Sequence, residues 1–306
     1  MPIEVRAPQR EEAGAIAALL NEHSQALFGV DAATVDEIAH WFDIPTIDPA
    51  RDMRVAVDDG LLVAYADVGD GGPQRTRYWI DLRLRPGAVD EVGHALLDAM
   101  ERRAAETAAP GALLRGFQAA ADEAAGRVYE GRGYRLFRHS LRMEISLAQE
   151  PPAPVWPDGI TVRTGRPSEL ARIHQAVDEA FSDHWEHEPQ SLEDWEHWFH
   201  GPNQDPSLWF LAEDAGEIAG ACLCRPHESG EHDAGYVMSL GVRRPWRRRG
   251  LALALLRHAF GEFRRRGQAR VCLGVDAENT TGAVRLYERA GMRVARQHNL
   301  YEKPLD

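Results

Sequence analysis

Ser239-Leu240-Gly241-Val242-Arg243-Arg244-Pro245-Trp246-Arg247-Arg248-Arg249-Gly250-Leu251-Ala252 reads as a strand, a basic turn and the start of a helix. The first amides of a helix lack intrahelical acceptors and carry the positive end of its dipole, so a turn of this kind cradles an anionic phosphate. Gly250 and Ala252 are small, which lets a diphosphate come close to the backbone. Arg247, Arg248 and Arg249 surround that point with positive charge. Taken alone, the same residues also describe a basic surface turn ahead of an ordinary helix.

A second segment follows: Asp276-Ala277-Glu278-Asn279-Thr280-Thr281-Gly282-Ala283-Val284-Arg285-Leu286-Tyr287-Glu288-Arg289-Ala290-Gly291-Met292. It begins at the end of an apolar strand, Val271 to Val275. In a helix, Ala283 and Tyr287 share one face. A tyrosine hydroxyl there meets a ligand lying across the first helix's N-terminus. Singly, Tyr287 also reads as a packing residue and Asn279 as an N-cap.

Together the two segments resemble the GCN5-related N-acetyltransferase family. Its phosphate-binding signature is matched by Arg247, Gly250 and Ala252. Its second signature is matched by Asn279, Ala283, Leu286-Tyr287-Glu288 and Gly291-Met292. The resemblance covers about residues 159 to 304. It implies that acetyl-CoA is the co-substrate. Backbone groups at Leu240 and Val242 and the turn Arg248, Arg249, Gly250, Leu251 and Ala252 would bind its pantetheine and pyrophosphate. It also implies direct attack of an amine on the thioester in a ternary complex.

That chemistry needs a route for the amine's proton, donors for a tetrahedral oxyanion, and an acid for the leaving thiolate. The resemblance assigns Tyr287 as the acid. Many relatives place a glutamate six residues before the position of Val242, where this sequence has Tyr236. Glu228, Glu231, His232 and Asp233 are the neighbouring candidates. His232 has the most suitable ordinary pKa. The same four residues also read as a solvated loop.

Working outward, the chain repeats itself. Gly116-Phe117-Gln118 through Arg127, Tyr129, Glu130 and Gly133 overlays Gly274-Val275-Asp276 through Arg285, Tyr287, Glu288 and Gly291, since 274 minus 116 and 291 minus 133 both give 158. Tyr78 to Leu82 falls on Tyr236 to Leu240 at the same offset. Ile3-Glu4-Val5-Arg6 and Ile160-Thr161-Val162-Arg163 differ by 157. A register kept this long indicates duplication of a whole domain. Gln149 to Pro157 carries prolines at 151, 152, 154 and 157, a semi-rigid extended spacer. The expected organisation is therefore 1–148, a linker at 149–158, and 159–306. In each copy strands mix with helices, which predicts an α/β fold with a mixed sheet and helices on both faces. The expectation is two tandem acetyltransferase-like domains.

The first copy reads as degenerate. Aligning Pro86 with Pro245 puts Ala88 at the Arg247 position, Asp90 at Arg249, Glu91 at Gly250 and Gly93 at Ala252. Two carboxylates then stand where phosphates would go. Ala121 replaces Asn279, while Tyr129 keeps the Tyr287 position. A weak first half before an intact second half resembles the mycothiol-synthase group within the family.

The bulk numbers agree with a globular enzyme. The chain has 306 residues, 44% hydrophobic and 27% charged, without a long apolar run. A net charge of -13 speaks against nucleic acid, and no membrane partner is expected. The Met1-Pro2-Ile3-Glu4 start lacks a signal-peptide layout. Three cysteines, Cys222, Cys224 and Cys272, suit a reducing cytoplasm. His184, His187, His197 and His200 pair at spacing three but do not form the His-Glu-x-x-His zinc pattern, and no metal is expected. Trp195, Trp198 and Phe199 read as the inward face of an amphipathic helix; the resemblance implies instead that this region walls the acceptor pocket, where indole faces beside Glu186, Glu188 and Glu196 would suit an ammonium-bearing small amine acceptor. A transferase of another acyl group and a CoA-binding sensor without turnover remain as alternatives.

Overall fold

A computed structural model describes residues 3–184, 187, 189–201, 203–279 and 281–305. After β1 (Glu4–Arg6), Ile16, Leu19 and Leu20 recur at helical spacing and give α1 (Ala13–Phe28) its buried face. Two short helices, α2 (Val35–Trp41) and α3 (Pro49–Asp52), begin where Thr34 and Asp48 cap the amides of Glu37 and Ala50. Then come β2 (Met53–Asp58), β3 (Leu61–Val68), β4 (Arg77–Leu84), α4 (Asp90–Ala105), β5 (Leu113–Ala119), α5 (Glu123–Gly131) and β6 (Arg135–Ser146). The second half repeats this order: β7 (Ile160–Thr164), α6 (Leu170–Phe181), α7 (Leu192–Phe199), β8 (Trp209–Asp214), β9 (Glu217–Arg225), β10 (Ala234–Val242), α8 (Leu251–Arg265), β11 (Arg270–Asp276), α9 (Ala283–Arg289) and β12 (Arg293–Pro304).

The chain divides into two units, Met1–Ser140 with Arg296–Asp306, and Leu141–Ala295. Strand order is β1-β2-β3-β4-β5-β12 in the first and β6-β11-β10-β9-β8-β7 in the second. These units depart from the bounds 1–148 and 159–306 that the repeat suggests. The open edge of β5 is closed by the chain's last strand, antiparallel from His298↔Ala119 to Pro304↔Leu113. Either copy's sixth strand satisfies such an edge, so the linear repeat does not decide which one does.

In both units the sheet is mixed, with β4–β5 and β10–β11 parallel and the pairs from β1 to β4 and from β7 to β10 antiparallel. In the first unit α4 packs Leu96, Leu97 and Met100 on one sheet face, and α1 packs Ile16 and Leu19 on the other. In the second unit α8 supplies Leu255, Leu256, Phe260 and Phe263 to one face, and α6 with α7 supplies Ile173, Val177 and Trp195 to the other. β9 is buried from Ile218 to Cys224, as a strand covered on both faces must be. Burying each large apolar side chain contributes about 1.5–3 kcal/mol. Among the described residues no helix is long and apolar enough to cross a membrane.

Candidate active site in the second unit

The site is built where two parallel strands part. β10 pairs with β11 over Ala234–Tyr236 against Arg270–Cys272 and no further. On its other side β10 stays paired with β9 to Val242↔Gly220. From Met238 onward β10 and β11 therefore diverge into a wedge. Alternate backbone groups of Ser239–Val242 point into it, because they are turned away from β9. A bulge between Val237 and Ser239 accompanies the divergence. Bulges bend a strand and re-aim its side chains beside functional sites.

The turn after β10 leads into α8. Arg248 (φ 61°) and Gly250 (φ 86°) are both left-handed. A Cβ on Gly250 would meet nothing within 4 Å, so glycine is used there for its backbone angle, not for want of space. Gly250 is the N-cap of α8 and no side chain caps that end. The first amides of α8 are left for an outside anion.

The three arginines divide their work. Arg247 turns inward: it donates to Val242 O and Ala180 O, each at 2.9 Å, and pairs with Asp183 at 2.6 Å. Arg244 also donates to Asp183, and the two guanidiniums hold that carboxyl well below the usual range. This clamp ties the end of α6 to the turn. Gly241 makes the approach possible, since a Cβ there would lie 2.9 Å from the Ala180 Cβ. Arg249 reaches Asp158 O at 3.4 Å and Asp214 at 3.9 Å. Arg248 is exposed and bonds no described residue. Leu251 is buried, while Ala252 and Val242 are half-buried.

Beyond β11, Asn279 organises the entry to α9. Its Oδ1 accepts from Thr281 N at 2.8 Å and from Ala283 N at 3.5 Å. Gly282 is the N-cap of α9, left-handed at φ 80°. One turn on, Tyr287 is 9% exposed in the core beneath α8. Burial, with the Cys222 thiol nearby, pushes its phenol up to about 12. Its hydroxyl makes no hydrogen bond to a described residue. A phenol so held stays protonated at neutral pH and has a proton to donate. Leu240 packs toward the same core.

His232 stands apart from this group. It is exposed on the turn between β9 and β10, with its ring 4.4 Å from that of His227. Tyr236, the last paired residue before the wedge, lies on the sheet face opposite Tyr287. Val237, Val271 and Leu273 belong to the core under α8, so their neighbours Tyr236, Cys272 and Gly274 point the other way. Arg225 stacks over the Tyr236 ring at 4.5 Å. Burial and then the Glu228 charge push the Tyr236 phenol up to about 12. Sequence reasoning missed the Asp183 clamp and the bulge. The run Arg243-Arg244 beside Arg247 was the only available hint of the clamp, and its acidic partner is remote in sequence.

On the sheet face covered by α6 and α7, Trp195 is buried and donates to Gln190 Oε1 at 2.9 Å. Phe199 packs edge-on to Trp209 at 4.6 Å. Trp185, Glu186 and Glu188 lie outside the described residues, as does the side chain of Trp198. Among the described residues no three His, Cys, Asp or Glu side chains come together as metal ligands do.

The first unit shows the same place differently arranged. β4 and β5 stay paired to Ile80↔Gly116, two positions beyond the matching point in the second unit. Tyr129, at the Tyr287 position, is fully buried and donates to Ile80 O at 3.0 Å. Asp90 and Glu91 begin α4, and Asp90 pairs with Arg127 at 3.1 Å. Two carboxylates therefore stand in this helix's first turn, where their charge suits the positive end of its dipole, and no side chain caps it.

Comparison with known proteins bears on the family and the fold. The model of the acetyltransferase (GNAT) family matches residues 170–292. A mycothiol acetyltransferase of Thermobispora bispora is 37% identical, over 55% of this chain and 58% of that one, less than two thirds of its length. One from Geodermatophilus obscurus is 31% identical over 79% of this chain and 78% of its own. The crystal structure of a GCN5-related N-acetyltransferase from Sphaerobacter thermophilus is 35% identical with a TM-score of 0.81, covering 99% of this chain and 96% of that one. A tandem GNAT protein from the clavulanic acid biosynthesis pathway shares the fold at 15% identity, with a TM-score of 0.75 over 99% of both chains. The chain therefore belongs to the acetyltransferase (GNAT) family, an enzyme family of N-acetyl transfer.

Proposed function

We propose that the second unit transfers an acetyl group from acetyl-CoA to the primary amine of a small molecule, by direct attack in a ternary complex. The observation that carries this reading is the wedge between β10 and β11, flanked by an uncapped helix N-terminus and an unbonded tyrosine hydroxyl. Bound acetyl-CoA supplies the activated acetyl group. The amides of Leu251 and Ala252, with Arg248 beside them, bind the pyrophosphate. The wedge-facing backbone of Leu240 and Val242 holds pantetheine and polarises the thioester carbonyl. Tyr287 gives its proton to the leaving sulfur. Asn279 and Ala283 shape the wall beneath it, and Arg247 and Arg249 fix the turn.

The relatives' name makes a mycothiol-related amine the first acceptor to try, in the reducing cytoplasm that three buried free cysteines suit. The first unit, with its wedge filled by Tyr129, is structural or shapes the acceptor pocket. A CoA-binding protein without turnover is the second reading. It is favoured by Tyr236, a phenol where a proton-accepting carboxylate is expected.

Turnover of acetyl-CoA with cysteinamide, glucosamine, a polyamine and a peptide α-amine separates the two. Binding is tested by Gly250→Glu beside Gly250→Ala. Both put a side chain at φ 86°, a shared strain of about 1–2 kcal/mol. Only the glutamate places a carboxylate against the pyrophosphate, so only it should abolish CoA binding in calorimetry. Equal affinities for the two variants would remove the cofactor assignment.

A further inference from the structure

A phenol at Tyr236 does not take a proton from an ammonium group at neutral pH. The carboxylate whose charge bears most on that phenol is Glu228. Glu228 stands on the tight turn between β9 and β10, where its N–H donates to Ala234 O at 2.7 Å and its carbonyl accepts from Glu231 N at 3.0 Å. Arg225 is the register partner of Tyr236 across β9 and β10. From above the Tyr236 ring its Nη2 donates to Glu228 Oε1 at 2.9 Å. Ser229 N donates to the same oxygen at 3.0 Å. Both bonds fall on Oε1, and Oε2 accepts from no described residue. The side chain is 16% exposed, reachable by a ligand yet largely out of bulk water. Across the sheet, Gly274 leaves the Tyr236 hydroxyl uncrowded: a Cβ there would stand 3.7 Å away.

Resting on the acetyl-transfer reading, we propose that Glu228, reaching in from the turn, is the catalytic proton acceptor and ammonium-binding group that the strand itself lacks. Its Oε2 receives the ammonium of a small primary amine and takes one proton. The nitrogen then bonds to the thioester carbonyl carbon, and the carbon–sulfur bond breaks. The nitrogen loses two protons in all. One passes through Glu228 to solvent, and the other replaces the proton that Tyr287 gives to sulfur. Arg225 and the Ser229 amide hold the carboxylate in place and keep Oε2 turned outward. The other groups that bear on Glu228 are Glu231 and His227 on the turn, Tyr236 on β10, Cys272 on β11 and Arg142 on β6.

Glu228→Gln and Glu228→Asp test this, assayed across pH with the best amine of the panel, with acetyl-CoA affinity measured on each. Glu228→Gln should lower kcat about 10²–10⁴-fold at neutral pH and leave acetyl-CoA affinity unchanged. Its rate should go on climbing with pH, as solution takes over the proton, while that of the parent levels off. Glu228→Asp should retain part of the activity and the parent's profile. A Glu228→Gln variant as active as the parent overturns the proposal. So does a loss of acetyl-CoA affinity in both variants, which marks a structural role. A parent that turns over no amine overturns the acetyl-transfer reading and this one together; an active parent with an indifferent variant overturns this one alone.

Discussion

Two tyrosines at matching positions, Tyr129 and Tyr287, differ in what their hydroxyls meet. Tyr129 spends its hydroxyl on the Ile80 carbonyl, and its ring packs so closely on Gly116 that a Cβ there would lie 2.3 Å from it. Tyr287 keeps its hydroxyl unspent. Tyr287→Phe deletes that group and little packing. On the proposed mechanism kcat should fall about 10²–10⁴-fold with acetyl-CoA affinity intact. If the residue only packs, turnover survives and stability shifts by about 1 kcal/mol. Steady-state kinetics beside a denaturant titration decides, and full activity in the phenylalanine variant would place Tyr287 with the core. The placement of Asn279 and Tyr287 about one helix start was legible because their motif is local, a single short segment of sequence. The inward role of Arg247 was not. Its partners Ala180 and Asp183 stand 67 and 64 residues away, and a run of arginines says nothing about which one bends back.

At the scale of the element, the wedge depends on where parallel pairing stops, and no residue type announces that. The strands and helices themselves were readable: the segment ending Gly250-Leu251-Ala252 read as the start of a helix, and α8 begins at Leu251. The register between β10 and β11 was not, since a bulge at Met238 is a single extra residue in an apolar run. The first unit offers a measurable counterpart on its own hairpin. Asp67 of β3 faces Asp81 of β4 across an antiparallel pair, and Tyr65 donates to Asp67 at 2.8 Å. Burial and the Asp81 charge raise the Asp67 carboxyl to about 7, against the pull of Arg83 and the Tyr65 hydroxyl. A carboxyl raised on folding favours the protonated native state. Its stabilising contribution is therefore full below the unfolded value of about 4 and fades as pH climbs through about 7. Asp67→Asn should flatten that decline. Denaturant midpoints across this range check it, and an unaltered slope in the variant would show that Asp67 is not the titrating group.

For the whole molecule, duplication was legible from a constant offset, but the partition into units was not. The repeat counts residues along the chain, whereas a sheet edge is closed by whichever strand reaches it. The first unit consequently depends on a residue near the far end of the sequence. Arg115 of β5 is 2% exposed, and its Nε and Nη2 donate to Glu302 of β12 at 2.9 and 2.7 Å. Its guanidinium also lies 5.5 Å over Trp79 and 5.0 Å over Phe137. Removing that anion is costly for a buried cation, because one carboxylate oxygen accepts two of its N–H groups and carries the compensating charge. Glu302→Ala should destabilise the first unit by about 1.5–3 kcal/mol, the range for hydrogen bonds to charged groups. Glu302 is partly exposed, so water recovers some of that loss and the lower end is expected. Hydrogen exchange localises the effect. Amides of β5, Leu113–Ala119, should open sooner in the variant, while those of α8 keep the parent's protection. Glu302→Gln separates charge from contact: both Arg115 bonds fall on Oε2, and an amide oxygen can still accept both, so only the charge is lost and the variant should fall between parent and alanine. Unchanged exchange across β5 in Glu302→Ala would mean that the last strand is held by its backbone ladder alone and that Arg115 is satisfied without it.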